Sequence, residues 1–252
     1  MLAGLDIATG QQTPPAQLKI LLPAGAEIIE TANVSAIAGR PRLMMLWMLN
    51  PERDLNDLTR NQQGGECSDL HRGDFGKFWK GPTRLSLVDP EVPKIINTIE
   101  VRDDCGGCRT PADSFTIPLC VFSGYSPAGK PAPDAPGRPN LDLRDFTGQG
   151  LKAEFALFTF EAFALVSTGV FGYEREFDRV VQYPIEIQGQ KTLRTLWTEE
   201  VFAREPVRPG YWRFTWAPGH GELATYRVEV SFDRKRRLFR QKTSLVSKTG
   251  RP

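Results

Sequence analysis

The stretch "ELATYRVEVSF", residues 222–232, decides the fold. Ala224, Tyr226, Val228, Val230 and Phe232 alternate with Thr225, Arg227, Glu229 and Ser231. A strand turns successive side chains to opposite faces, so this segment has one dry face and one wet face. That pattern belongs to an antiparallel strand with a solvated side. "LFRQKTSLV" (238–246) follows a short polar turn and returns as its hairpin partner.

Similar signals run outward along the chain. "GYWRFTW" (210–216) sets Trp212, Phe214 and Trp216 against Tyr211, Arg213 and Thr215. Three aromatic residues on one face read as core, or as a platform for sugar rings if that face is open. "RVVQYPIEI" (179–187) is strand-like. "AEFALFTFEAFALV" (153–166) reads as a strand buried on both faces, or as a strand running into a short helix. "TRLSLVDP" (83–90) and "KIINTIEVRD" (94–103) form a hairpin around a Pro-rich turn. "SFTIPLCVF" (114–122) is a strand that Pro118 confines to a sheet edge or bulge. "LMMLWML" (43–49) is a buried strand or a core helix turn. Two helices are expected, "PERDLNDLTRN" (51–61), with Pro51 in its first turn and early acids, and "LRTLWTEEVFA" (193–203).

The expected fold is therefore mainly β, with antiparallel sandwich- or propeller-like sheets and few short helices. The composition agrees: 40% hydrophobic and 25% charged residues are those of a globular chain, and 20 prolines with 23 glycines imply many turns. A compact chain of 252 residues buries roughly three quarters of its unfolded surface. "SPAGKPAPDAPGRPN" (126–140) holds five prolines, which exclude a helix or central strand. It divides a β-rich N-terminal half, 1–125, from a β-rich C-terminal half, 141–252, as a linker or a long loop.

A net charge of +2 gives no strong nucleic-acid signal. Basic residues nevertheless crowd the C-terminus: Arg234, Lys235, Arg236, Arg237, Arg240, Lys242, Lys248 and Arg251, with no acid after Asp233. This is a solvated hairpin and tail, or a patch for phosphate or an anionic glycan. No run approaches the ~20 apolar residues of a transmembrane segment. The N-terminus lacks a basic leader region, and Asp6 interrupts its apolar part. Four cysteines, Cys67, Cys105, Cys108 and Cys120, permit two disulfides. Asn33-Val34-Ser35 is a glycosylation triplet.

"RDFTGQGLKAEF" (144–155) raises the question of a metal. Counting Asp145 as first, Thr147 is third, Gln149 fifth, Gly150 sixth and the Leu151 carbonyl seventh, with Glu154 tenth. Calcium takes six to eight oxygens from alternating positions of a tight loop with a glycine at its bend. The stretch resembles the short calcium loops of FG-GAP or VCBS-type β repeats. It departs from their pattern at Gln149, where an Asp is expected, and at Glu154, one place late. The resemblance implies calcium ligation by Asp145, Thr147, Gln149, Leu151 and Glu154, with roughly millimolar affinity. The other reading is a glycine turn in which Asp145 caps backbone amides.

The remaining motifs carry less chemistry. Cys105-Gly-Gly-Cys108 is a disulfide, half a zinc site or a redox pair, and the Gly-Gly interior and following Arg109-Thr110-Pro111 are loop-like. "HRGDFGKFWKGP" (71–82) contains short adhesion-like and kinase-like triplets without their companion motifs, and reads as a turn presenting Phe78 and Trp79. His71 and His220 lack evident partners. Glu154, Glu174, Glu176 and Asp178 are the candidate acids for a carbohydrate hydrolase, which needs two carboxylates across a cleft. Glu199-Glu200 is a further acid pair. Three functions follow. The first is a non-catalytic, exported, extracytoplasmic β protein that binds a protein or glycan partner, calcium-stabilised. The second is a carbohydrate-active hydrolase. The third is an assembly protein whose basic C-terminal hairpin meets an acidic partner.

Overall fold

A computed structural model describes residues 16–54, 78–101, 115–118, 140–161, 165–197, 201–202, 204–217 and 224–248. The described chain is mainly β, as its alternating segments dictate. Strands β1 (Ala26–Asn33), β2 (Leu43–Leu49), β5 (Thr83–Asp89) and β6 (Lys94–Glu100) make one antiparallel sheet in the order β1-β2-β5-β6. Between β2 and β5 in sequence lie β3 (Glu52–Asp54) and β4 (Phe78–Gly81), which join β7 (Phe115–Pro118) in a small sheet. Pro118 ends an edge strand, where its missing N–H costs no ladder bond.

The C-terminal half builds two more sheets. Strands β8 (Glu154–Glu161), β9 (Leu165–Glu174) and β10 (Arg179–Gln182) form an antiparallel meander. Strands β12 (Tyr211–Trp216), β13 (Ala224–Asp233) and β14 (Leu238–Lys248) form another, and β11 (Ile185–Ile187) pairs with β14 in parallel.

The three larger sheets stack as layers with the β8–β10 meander in the middle. One of its faces carries Phe155, Leu157, Phe171 and Tyr173 against Met44, Leu46, Leu85 and Leu87 of the first sheet. Its other face carries Ala156, Val170 and Val181 against Trp212, Val228, Val230 and Phe239 of the third. A strand covered on both faces loses its polar side, which is why 155–158 reads as continuously apolar. The first core thus spans both sides of the Pro-rich stretch. On the far face of the first sheet, Leu18 packs near Met45 and Trp47, in a cluster reached by α1 (Ala16–Lys19). A second short helix, α2 (Ser35–Ala38), leads into β2 and is closed by Gly39 in the left-handed region.

Several expectations change. No helix begins at Pro51, because Glu52–Asp54 pair with Lys80, Trp79 and Phe78. Nor is 193–197 helical. Arg194 exchanges hydrogen bonds with Ile185, and Trp197 with Thr168, so their amides serve sheet-like bridges. The run 153–166 contains no helix in its described part and ends β8 before the return strand β9 begins. Trp79 lies on a strand rather than a turn and packs, half-buried, against the first core. The four cysteines, both histidines, Glu199, Glu200 and nearly all of 126–140 lie outside the described residues.

Buried polar groups fasten the layers. Arg42, 7% exposed, donates to Asp178 in the β9–β10 turn and to Asp89 at the end of β5. The Arg42 guanidinium holds the Asp178 carboxyl below its ordinary range. Asn97 on β6 trades hydrogen bonds with both backbone groups of Val180 on β10. Glu30 on β1 accepts from the amides of Asn140 and Leu141 and from the Asn140 side chain, anchoring the chain as it enters the second half.

Candidate functional site

Three turns, one of them the long 144–154 bend and two of them hairpin turns, gather at one end of the seam between the middle and third sheets. They are the 144–154 turn, the 174–179 turn of β9–β10 and the 233–238 turn of β13–β14. Together they enclose a cleft of about 480 Å³. Glu154, Tyr183 and Phe232 are its inner lining, beside Glu174 and Arg237. Gln149, Arg175 and Arg234 are exposed lining residues.

The local sequence explains this floor. Gly172 on β9 stands opposite Glu154 on one side and Val181 on the other. A Cβ at residue 172 would sit 2.9 Å from Glu154 Cγ and 3.1 Å from Tyr183 Cε2. The glycine therefore makes the space that both side chains occupy. Glu174, two residues on, projects from the same face as Gly172 and Glu154. β10 ends at Gln182, and Tyr183-Pro184 step the chain from the middle sheet to β11 of the third.

Glu154 is 3% exposed and its oxygens are shared within the turn. One accepts from the amides of Phe146 (2.9 Å) and Thr147 (3.3 Å), the other from the Thr147 hydroxyl (3.2 Å). Burial pushes its carboxyl up to about 7, aided by the nearby Asp145 charge and opposed by those hydrogen bonds. Glu174 pairs with Arg179 (3.3 Å) and Arg237. The same two guanidiniums lie over the Phe177 ring, at 4.8 Å and 4.3 Å from its centroid. This cluster ties the two hairpin turns together.

Tyr183 is 3% exposed, packed edge-on to Phe232 and Phe239. Burial and the Glu154 charge push its phenol up. Among the described residues its hydroxyl has no hydrogen-bond partner. The hydroxyl is not one of the fully buried polar atoms that lack a partner, so the ring is buried and its oxygen tip meets the solvent of the cleft.

The structure gathers Asp145, Thr147, Gln149, Leu151 and Glu154 into one turn. Its oxygens are largely committed to the chain. Asp145 accepts from the amides of Gln149 (2.9 Å) and Gly150 (2.8 Å), and the Gln149 side chain donates to the Thr147 hydroxyl (3.0 Å). Gly148 and Gly150 take positive φ at the bends. A Cβ on Gly148 would meet the Pro209 carbonyl oxygen at 2.6 Å, so this turn also needs glycine to lie against 209–210. Among the described residues, no three His, Cys, Asp or Glu side chains gather as a metal cluster.

Of the four candidate hydrolase acids, Glu154 and Glu174 reach the cleft floor, and Glu176 is an exposed lining residue. Asp178 is not a cleft-lining residue and binds Arg42, Arg40 and the Tyr173 hydroxyl. Trp212 is 1% exposed and belongs to the core, while Phe214 and Trp216 are half-buried on the same face. Tyr183 and Gly172 were not candidates, since their roles arise from pairings remote in sequence, whereas Arg237 was named only as one of the basic C-terminal run. Phe232 carried a signal, as the last residue of the dry face of 222–232. No family model, curated protein or solved structure matches the chain. Among the described residues no helix is long and apolar enough to cross a membrane.

Proposed function

We propose that this chain is a non-catalytic, exported β-rich binding protein whose cleft takes one or two rings of a hydroxyl-rich glycan. The observation that carries this reading is the Tyr183 hydroxyl, which is open to solvent in the cleft lining and has no partner among the described residues, although its ring is buried. Around it stand the features that hold a sugar: the aromatic ring of Phe232, a carboxyl at Glu154, an amide at Gln149 and a guanidinium at Arg234. A concave site with a few converging polar groups is the usual form of a ligand site. The test is calorimetric titration with a panel of neutral mono- and disaccharides. Tyr183→Phe should keep the fold and weaken the best binder about tenfold, the effect of one buried hydrogen bond. Failure of every saccharide to bind the wild type overturns the reading.

Two specific observations favour second readings. Glu154 and Glu174 project into the cleft from one sheet face, which supports a carbohydrate hydrolase. Turnover of aryl glycosides, lost in Glu154→Gln and Glu174→Gln, would establish it. Asp145 and Glu154 lie close enough for one charge to raise the other's pKa. A calcium ion in the 144–154 turn would relieve that repulsion, after the present hydrogen bonds rearranged. Native mass spectra with calcium and then chelator, on wild type and Asp145→Ala, decide this point.

A further inference from the structure

The basic C-terminal run does not fold as one patch. Arg234, Lys235, Arg236 and Arg237 occupy the β13–β14 turn, while Arg240 and Lys242 lie on β14. The sheet register brings two cations from other strands to join them. Arg213 on β12 and Lys242 on β14 flank Glu229, and Arg227 lies level with Thr215 and Ser244. The opposite face of these strands carries Trp212, Val228, Val230 and Phe239 into the core. Arg213, Arg227, Arg240 and Lys242 therefore share the outer, solvent face of the third sheet, and all four are exposed.

Three carboxylates share that face and all are engaged; Asp233, on the same side of β13 as Glu229, pairs with Arg240 (3.5 Å). Glu186 accepts from Arg236 (2.6 Å) and Arg240 (2.7 Å). Glu229 accepts from the Tyr211 hydroxyl (3.0 Å) and Arg213 (3.1 Å). Arg227 and Lys242 make no ion pair among the described residues. Around them are hydroxyls, Thr215, Ser231 and Ser244.

We infer that this face docks a linear acidic polysaccharide, its carboxylate or sulfate groups meeting Arg227 and Lys242 and its hydroxyls meeting the serines and threonine. Charge complementarity selects an anionic partner. Single-stranded nucleic acid needs open aromatic rings on which bases stack. The Tyr211 ring of this face is instead covered by the guanidiniums of Arg208 and Arg213, 5.0 Å and 5.6 Å from its centroid. The face is on the opposite side of the sheet from the cleft, so the inference stands whether or not the cleft binds sugar.

The experiment measures binding of the full chain to heparin and to polygalacturonate over a salt series, with dextran as the uncharged control. Wild type should bind both acidic polymers and not dextran, with log affinity falling linearly against log salt. Arg227→Glu with Lys242→Glu should weaken binding about tenfold or more and flatten the salt slope. The thermal midpoint should stay unchanged, since both side chains are exposed. Should the reversal disturb folding, Arg227→Gln with Lys242→Gln should weaken binding in the same direction. Undiminished binding by a folded variant overturns the inference. So does equal or tighter binding of a single-stranded oligothymidylate or of phosphatidylserine vesicles.

Discussion

Glu154 concentrates the chemistry of a single residue. Its carboxyl titrates near 7 in the fold and near its ordinary 4.5 when unfolded. The folded state thus holds its proton more tightly, and stability falls as pH rises between those values. The contribution is complete below about pH 4.5 and lost by about pH 8, on the order of 3 kcal/mol in all. Glu30, also raised by burial, adds in the same direction. Asp178 and Asp89, both lowered, oppose it by losing their stabilisation as pH falls through their folded values. Glu154→Gln, which mimics the protonated acid, should raise the thermal midpoint at pH 8 and change it little at pH 5. A parallel loss at both pH values would show that the charge is not what destabilises. Gly172→Ala should cost about 1–3 kcal/mol in urea unfolding, because its Cβ has no room beside Glu154 and Tyr183.

At the scale of elements, legibility followed locality. The alternation in 222–232 and 238–246 identified β13 and β14 and their faces, because a period of two needs no knowledge of partners. The segment 51–61 carried good helix-start signals, yet Glu52–Asp54 joined a ladder with 78–80, a distant pairing that outweighs local propensity. The ambiguity of 153–166 had a different source, since a strand in a middle layer offers no wet face to mark its period. The 144–154 turn was legible as a turn, with Asp145 capping amides as its glycines suggest. The cleft was not legible, because its three turns are brought together only by the stacking of sheets. Arg42, which links the 89 and 178 turns, makes that stacking testable. Arg42→Met should lower the thermal midpoint, since Asp89 loses its guanidinium partner and Asp178 keeps only Arg40 and the Tyr173 hydroxyl. Arg42→Met with Asp178→Asn should recover part of the loss.

At the scale of the whole molecule, the middle sheet couples both cores. Phe155 and Phe171 face one core while Ala156 and Val170 face the other. Leu87→Ala in the first core and Val230→Ala in the second should therefore lower one shared calorimetric transition. Two transitions, each moved by one variant, would show separable units. The parallel pairing of β11 with β14 has a consequence in time. The β8–β10 and β12–β14 meanders close through short connections, whereas residues 185–187 meet 239–241 only across a long intervening loop. Loop-closure entropy makes such remote pairings slow. In pulse-labelled hydrogen exchange the Phe239 and Gln188 amides, bonded to Pro184 and Gln241, should gain protection after those of β13. Tyr183 sits immediately before that last contact, so the refolding chain acquires its cleft only when the slowest zipper shuts.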